Sequence, residues 1–355
     1  MSVQSVIEWI TDQNTCFLMG AGCSLCADKP NIDGLTAKVK VKLSQPLQEL
    51  LDDLKGAEGR PANVEDLINY LMRMRLLAGS RKTPFPKEDW KVESIDDELL
   101  SIQRAVVEGV GPDWKPSPYH QRFLTRLVSS HPRKPVDIFS LNYDTVIEAS
   151  LEFAKIRYTD GFVGSENAYF DDAVFGQIPG SQAFFRVYKL HGSINWVRDG
   201  DETVRRRPGS SLGGTPRAVV YPAEQKYLQT QYGVYEVLMR RFRDRVRDSD
   251  QNNKLVVLGY SFRDEHVNAA IEDGIRSLGS NLTVYAFVGP EEDVDNQKNR
   301  FDDMASRCDH RLNVFIGDKH HVGPALDDKG WSEIAGKDLW KFENLVGLLT
   351  GAANE

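Results

Sequence analysis

Short apolar runs, set well apart along the chain, constrain its fold more than any other feature of the sequence. Each run is rich in β-branched or aromatic residues and is short enough to form one buried strand. Helical patterns separate several of the runs, and strands that alternate with helices favour a parallel sheet covered on both faces. The sequence therefore predicts an α/β fold with a doubly wound, mostly parallel, Rossmann-like sheet. The predicted strands are residues 15–19, 136–141, 254–258, 282–288 and 312–316, with helices at 145–153 and 265–278.

The stretch of about residues 56–118 lacks such runs and shows helical periodicity instead. Asn63 can cap a helix with one apolar face, and a similar pattern continues over residues 99–110. We interpret this stretch as a helical insertion in a single domain of residues 1–355, where its simplest role is to complete the core. A second interruption, about residues 199–216, is rich in arginine, glycine and serine and is predicted to be a flexible loop.

The charge and the cysteine content exclude several classes of protein. The chain has 44 basic and 52 acidic side chains, and its net charge of −8 gives no general attraction to nucleic acid or to an anionic membrane. No stretch reaches the roughly 18 to 20 apolar residues of a membrane span, and the N-terminus lacks the pattern of a secretory signal. Four cysteines do not suggest a disulfide framework. We therefore expect a cytoplasmic protein with reduced thiols and no membrane contact.

Two glycine-containing turns follow predicted strands. The first, Gly20–Ser24 (GAGCS), would let the backbone come close to a pyrophosphate. The second, Gly259–Phe262 (GYSF), offers a glycine and a hydroxyl that can accept a ribose or a phosphate. Each pattern also fits a plain strand–helix turn, because GAGCS lacks the full G-x-G-x-x-G spacing and Ser261 can simply cap a helix.

Polar side chains follow two further predicted strands. Asn142 and Asp144 come after residues 136–141, and His191 comes after a predicted strand at 187–190. Ligands of open α/β sheets bind beyond the carboxyl ends of the strands, so these side chains would face a substrate. Histidine suits proton transfer near neutral pH, and an asparagine can hold a ribose hydroxyl and a water together. Asparagine and aspartate also serve in turns and caps, so Asp144 can equally be the cap of the next helix.

In order along the chain, four motifs (GAGCS, SLNYD, KLHGSINW and LGYSF) resemble those of the sirtuin-like domain of bacterial antiphage defence proteins that degrade NAD. The resemblance extends from about Phe17 to Ile271 and implies a single sirtuin-like catalytic domain. It places Asn142 at the nicotinamide ribose, Asp144 at the carboxamide and His191 beside the ribose hydroxyls. The resemblance assigns the remaining dinucleotide contacts to Gly20, Ala21, Gly22, Ser24, Gly259 and Ser261.

The resemblance implies an NAD hydrolase that releases nicotinamide and ADP-ribose. In this hypothesis Asn142 positions water and the ribose, while His191 accepts a proton. Cleavage builds positive charge on the ribose, as in glycoside hydrolysis. The expected role is a gated effector of antiphage defence that depletes NAD. By resemblance, the chains form a homo-oligomer, and a separately encoded HerA-type ATPase or Argonaute-like protein is a candidate activator.

The cysteines separate this chain from the protein-deacylating sirtuins, which typically hold zinc with two close cysteine pairs. Cys23 and Cys26 have C-x-x-C spacing, but only Cys16 and Cys308 remain as partners, so we expect no zinc. Two alternatives stay open: an NAD-dependent protein deacylase, and a non-catalytic sensor of NAD or ADP-ribose. A metal-dependent nuclease would need a carboxylate cluster that the sequence does not suggest, although Arg205–Arg207 can touch nucleic acid.

Overall fold

Two β-sheets and several helices make up the part of the chain seen in the computed structural model. The structure describes residues 3–56, 59–79, 92–111, 114–131, 134–177, 183–198, 203–207, 217–219, 233–249, 253–309, 311–323 and 335–351. The helices are α1 (Val3–Thr11), α2 (Ile32–Lys40), α3 (Gln45–Asp53), α4 (Val64–Gly79), α5 (Val92–Val110), α6 (Pro118–Ser130), α7 (Val146–Phe153), α8 (Val234–Val246), α9 (Glu265–Arg276), α10 (Val294–Arg307) and α11 (Phe342–Thr350). Among these described helices, none is long and apolar enough to cross a membrane. The strands are β1 (Thr15–Met19), β2 (Val136–Ser140), β3 (Arg157–Thr159), β4 (Phe162–Val163), β5 (Ala168–Phe170), β6 (Phe184–Lys189), β7 (Gly192–Arg198), β8 (Val204–Arg206), β9 (Arg217–Val219), β10 (Lys254–Leu258), β11 (Thr283–Val288), β12 (Leu312–Ile316) and β13 (His320–Val322).

The larger sheet has eight strands in the order β13-β12-β11-β10-β1-β2-β6-β3. Every neighbouring pair is parallel except β12 and β13. The prediction of a doubly wound, mostly parallel sheet is therefore confirmed, and the predicted strands are β1, β2, β10, β11 and β12. The strand order changes direction at β1, whose neighbours are β2 and β10. In folds of this kind the crevice at such a point binds the ligand.

Residues of the central strands alternate between two apolar cores on opposite faces of the sheet. In β1, Cys16 and Leu18 join one core, whereas Phe17 and Met19 join the other. Helices α8, α9 and α10 cover the first face, and α1, α6, α7 and α11 cover the second. Because both faces are covered, β1 is buried over its full length. A strand in this position favours apolar side chains on both faces, which is why residues 16–19 form a continuous apolar run in the sequence.

Helices α2 to α5 form a third apolar cluster of their own. Helices α4 and α5 lie within residues 56–118, the stretch predicted to be a helical insertion. The sequence does not predict α2 and α3, because each buries only two apolar side chains and leaves too short a periodic pattern. Tyr143 of the second motif and Ile194 of the third belong to the same cluster. The helical cluster therefore packs directly against two of the motifs.

The smaller sheet is antiparallel, with strand order β4-β5-β8-β7-β9. Strand β7 continues the chain directly from His191. Strand β8 falls inside the stretch 199–216, which is predicted to be a flexible loop; apart from residues 203–207, that stretch lies outside the described residues. Within β8, Arg206 Nη1 lies 2.8 Å from Asp160 Oδ2. This arginine therefore links β8 to the connection between β3 and β4.

Candidate active site

The four motifs meet at the carboxyl edge of the larger sheet. They follow the adjacent strands β10, β1, β2 and β6. Leu141 N donates to Met19 O over 2.9 Å, which joins the second motif to the end of β1. Leu190 N donates to Ser140 O over 2.9 Å and joins the third motif to the second in the same way. The predicted site residues thus surround the point where the strand order changes direction.

Asn142 presents a buried amide whose two ends have different surroundings. Its Nδ2 donates to Gly20 O at 3.1 Å and to Ser24 Oγ at 3.0 Å, which fixes the orientation of the amide. The opposite atom, Oδ1, is buried and accepts no hydrogen bond from any residue that the structure describes. A buried polar atom without a partner costs free energy. Oδ1 is therefore the atom suited to accept a hydrogen bond from a bound hydroxyl or water.

The glycines of the first and fourth motifs pack against each other. Gly22 N donates to Gly259 O at 2.9 Å, and a Cβ added at Gly22 would lie 2.7 Å from Gly259 Cα. Gly259 has a φ of +62°, a left-handed conformation that favours glycine. Gly20 N is also bonded within the fold, to Leu258 O at 2.9 Å. The space that the missing Cβ atoms of Gly20 and Gly22 leave is therefore occupied by the backbone of Gly259 and Tyr260, and the contact of these glycines with a dinucleotide stays a prediction.

Asp144 lies just before α7 and is buried. Its Oδ1 accepts a hydrogen bond from Val146 N at 3.0 Å, so its carboxylate satisfies an amide in the first turn of the helix. The N-cap residue of α7 is Thr145, so Asp144 accepts this amide from one position before the cap, and the interpretation of Asp144 as the helix cap itself is wrong. The contact that the resemblance assigns to Asp144, with the nicotinamide carboxamide, stays a prediction.

A buried ion pair lies beneath the second and third motifs. Lys189, only 1% exposed, donates from Nζ to the backbone carbonyl of Asp144, and the same atom lies 3.4 Å from Glu148 Oε1. Burial raises the pKa of Glu148, and the positive charge of Lys189 opposes that rise. A lysine is rarely buried without a partner, and the two contacts of Lys189 join the third motif to Asp144 of the second motif and to Glu148 of α7.

His191 is paired with an aspartate from a distant part of the chain. Its Nε2 lies 2.9 Å from Asp264 Oδ2, and both side chains are buried. The other carboxylate oxygen, Oδ1, accepts hydrogen bonds from the amides of His266 at 2.9 Å and Val267 at 3.3 Å. Asp264 is therefore the N-cap of α9 and the partner of the predicted catalytic histidine at the same time.

Sequence reasoning missed Asp264, although a signal was present. An aspartate directly before a helix, three residues after the LGYS segment at a strand end, lies at the edge where ligands bind. The same cap decides another open question. Because α9 is capped by Asp264, the interpretation of Ser261 as the helix cap is wrong. Ser261 is partly exposed, and it lies two residues after Gly259, the glycine that packs against the first motif.

The part of the chain that holds most of these residues matches a known family. Residues 136–308 fit the family model of the SIR2-like domain. The chain carries a SIR2-like domain. Asn142, His191 and Asp264 all lie within the matched residues, and comparison with curated proteins gives no match. SIR2-like domains bind NAD, and the match supports an NAD-utilising enzyme.

A hydrogen bond joins the helical cluster to the second motif. Tyr143 Oη donates to Glu65 Oε1, in the first turn of α4, at 2.7 Å. The Tyr143 ring lies 6.3 Å from the His191 ring, measured between centroids. Tyr143 O accepts a hydrogen bond from Ile194 N at 2.9 Å. A shift of α4 would therefore move Tyr143, which follows Asn142 in the chain and whose ring lies near that of His191.

The cysteines do not form a metal centre in the described part of the SIR2-like chain. Among the residues that the structure describes, no three His, Cys, Asp or Glu side chains are grouped as metal ligands. Burial raises the pKa of the Cys26 thiol to about 11 and holds that of Cys23 well above its usual range. The absence of zinc stays a prediction.

Proposed function

We propose that this SIR2-like enzyme hydrolyses the nicotinamide–ribose bond of NAD and releases nicotinamide and ADP-ribose. The observation that carries the proposal is the pairing of Asn142 and His191 across neighbouring parallel strands. Ser140 of β2 is in register with Lys189 of β6. Asn142 lies two residues after Ser140, and His191 lies two residues after Lys189. Neighbouring strands are about 4.8 Å apart, so the two side chains can reach one small substrate.

The chemistry needs orientation and one proton acceptor. Asn142 Oδ1 accepts a hydrogen bond from the attacking water, while its Nδ2 stays fixed on Gly20 and Ser24. The water oxygen bonds to the anomeric carbon as the glycosidic bond breaks, and the electron pair of that bond neutralises the pyridinium of the departing nicotinamide. His191 accepts the proton that the water loses. These groups favour the transition state, in which positive charge builds up on the ribose.

Product analysis tests this function directly. Purified protein incubated with NAD should give nicotinamide and ADP-ribose in equal amounts, because hydrolysis transfers the ribose to water alone. Chromatography that also resolves cyclic ADP-ribose measures both products, and the same reaction with an acetylated peptide is the control. Peptide-dependent nicotinamide release with an acylated ADP-ribose would indicate the deacylase. Binding of NAD without turnover would indicate the sensor.

We also propose that the activity is gated in a homo-oligomer by a separately encoded partner, and that the enzyme is a cytoplasmic effector of antiphage defence. An ungated NAD hydrolase would exhaust a central cofactor. The Tyr143–Glu65 hydrogen bond supports helices α2 to α5 as the gate, because it joins them to the residue that follows Asn142. A ligand or partner that prefers one position of these helices would shift the site with them.

Tyr143→Phe should release this gate in the isolated chain. It removes the hydroxyl that bonds Glu65 and keeps the ring, so NAD turnover should rise by about tenfold or more, the effect of one hydrogen bond to a charged group. Glu65→Gln is the matched control, because its amide oxygen can still accept the bond and basal turnover should stay near wild type. Turnover should be measured together with light scattering. Equal turnover in wild type, Tyr143→Phe and Glu65→Ala would show that this contact transmits nothing.

A further inference from the structure

We propose that Asp264 is a positioning residue that holds His191 in one tautomer and one orientation. The kinetic part of this inference rests on the proposed function, whereas the tautomer does not. Its basis is that one buried carboxylate joins the end of β6 to the start of α9: Oδ2 contacts His191 Nε2 at 2.9 Å, and Oδ1 caps the helix.

Asp264 is itself held in place by the fourth motif. Its backbone N–H donates to Tyr260 Oη at 3.0 Å, and Tyr260 Oη donates to Asn268 Oδ1 at 2.9 Å. Asn268 in turn donates from Nδ2 to Phe262 O at 2.8 Å. Asp264, Tyr260 and Phe262 are buried. The LGYSF segment therefore positions the carboxylate of Asp264, and this role differs from the predicted contact with adenosine.

The hydrogen bonds of Asp264 determine which nitrogen of His191 carries the proton. Oδ1 already accepts two backbone N–H groups, and a carboxylate offers only acceptors. The contact with Oδ2 therefore requires a proton on Nε2. In the neutral ring Nδ1 is then the nitrogen that accepts a proton during the reaction, and the carboxylate stabilises the imidazolium that results.

Asp264→Asn separates this role from the capping role. Asparagine is as good an N-cap as aspartate, so Oδ1 can still cap α9. Its Nδ2 would then face His191 Nε2, where it can only donate, and the ring should change to the Nδ1–H tautomer. Asp293→Asn is the matched control: Asp293 caps α10 through Asn296 N at 3.0 Å, and it is exposed.

The tautomer should be measured by long-range ¹H–¹⁵N NMR on protein labelled at its seven histidines, with His191→Gln to assign the His191 signal. We expect Nε2–H in the wild type and in Asp293→Asn, and Nδ1–H in Asp264→Asn. Steady-state kinetics with NAD should show kcat lowered at least about 100-fold in Asp264→Asn, the usual contribution of a general base, with KM little changed.

Each outcome decides the proposal. The same His191 tautomer in wild type and Asp264→Asn would overturn it, and so would a changed tautomer with unchanged kcat. If the wild type does not turn over NAD, the proposed function fails. The NMR comparison then decides the positioning role alone, because Nε2–H in the wild type and Nδ1–H in Asp264→Asn still supports it.

Discussion

Replacing Asn142 or His191 with alanine should lower the kcat for NAD hydrolysis at least about 100-fold, because each removes a group that acts on the reacting atoms. Asn142→Ala removes the buried Oδ1 that is oriented by the bonds from Nδ2 to Gly20 and Ser24. His191→Ala removes the proton acceptor. Nicotinamide release measures both losses.

Controls must separate lost chemistry from lost stability. His191→Ala leaves Asp264 Oδ2 without its ring partner, which is expected to lower the free energy of unfolding by about 1 to 3 kcal/mol. His191→Gln should restore much of that loss, because its amide can donate to Asp264, and yet stay inactive. Asn296→Ala and His320→Ala change the same residue types on α10 and β13 and should keep full turnover. Wild-type activity in both Asn142→Ala and His191→Ala would contradict the assignment.

Gly259→Ala should destabilise the protein and weaken NAD binding together. The added Cβ would lie 2.4 Å from Cys23 N and 2.8 Å from Gly22 C, in a residue with a φ of +62°. Left-handed strain and backbone overlap together should lower the free energy of unfolding by about 2 to 5 kcal/mol. The first and fourth motifs would have to separate, so the affinity for NAD should fall as well. Urea unfolding and calorimetric titration with NAD measure the two effects.

Gly279→Ala is the matched control for this change. Gly279 has a φ of +76°, so alanine there meets the same kind of strain, but nothing lies within 4 Å of the added Cβ. Its unfolding free energy should fall by only about 1 to 2 kcal/mol, with NAD affinity unchanged. If Gly259→Ala and Gly279→Ala were equally stable and bound NAD equally, the packing of the two glycine loops would contribute neither to stability nor to NAD binding.

The sequence by itself predicts the elements whose environment is uniform. Strands such as β1 and β10 are covered on both faces, so all their residues after the first are apolar and the pattern is visible in the strand's own sequence. The motifs at the strand ends can also be found from the local sequence, since Asn142 and His191 each lie two residues after the end of a strand. Strands β4, β5 and β8 have two or three residues each, too few for a periodic pattern.

Tertiary structure alone decides which of the motif residues touch. Asn142 and Ser24 are 118 positions apart, and His191 and Asp264 are 73 apart, so no local pattern pairs them. Each of these residue types has more than one ordinary use. Ser24 could serve only in a turn, Asp264 only as a helix cap, and Gly22 only to let a ligand come close to the backbone. The fold selects among these uses, because parallel strands bring their carboxyl ends to one edge whatever their separation in the chain. Residue types and strand ends are properties of the sequence, whereas the partner of each polar atom depends on the strand order.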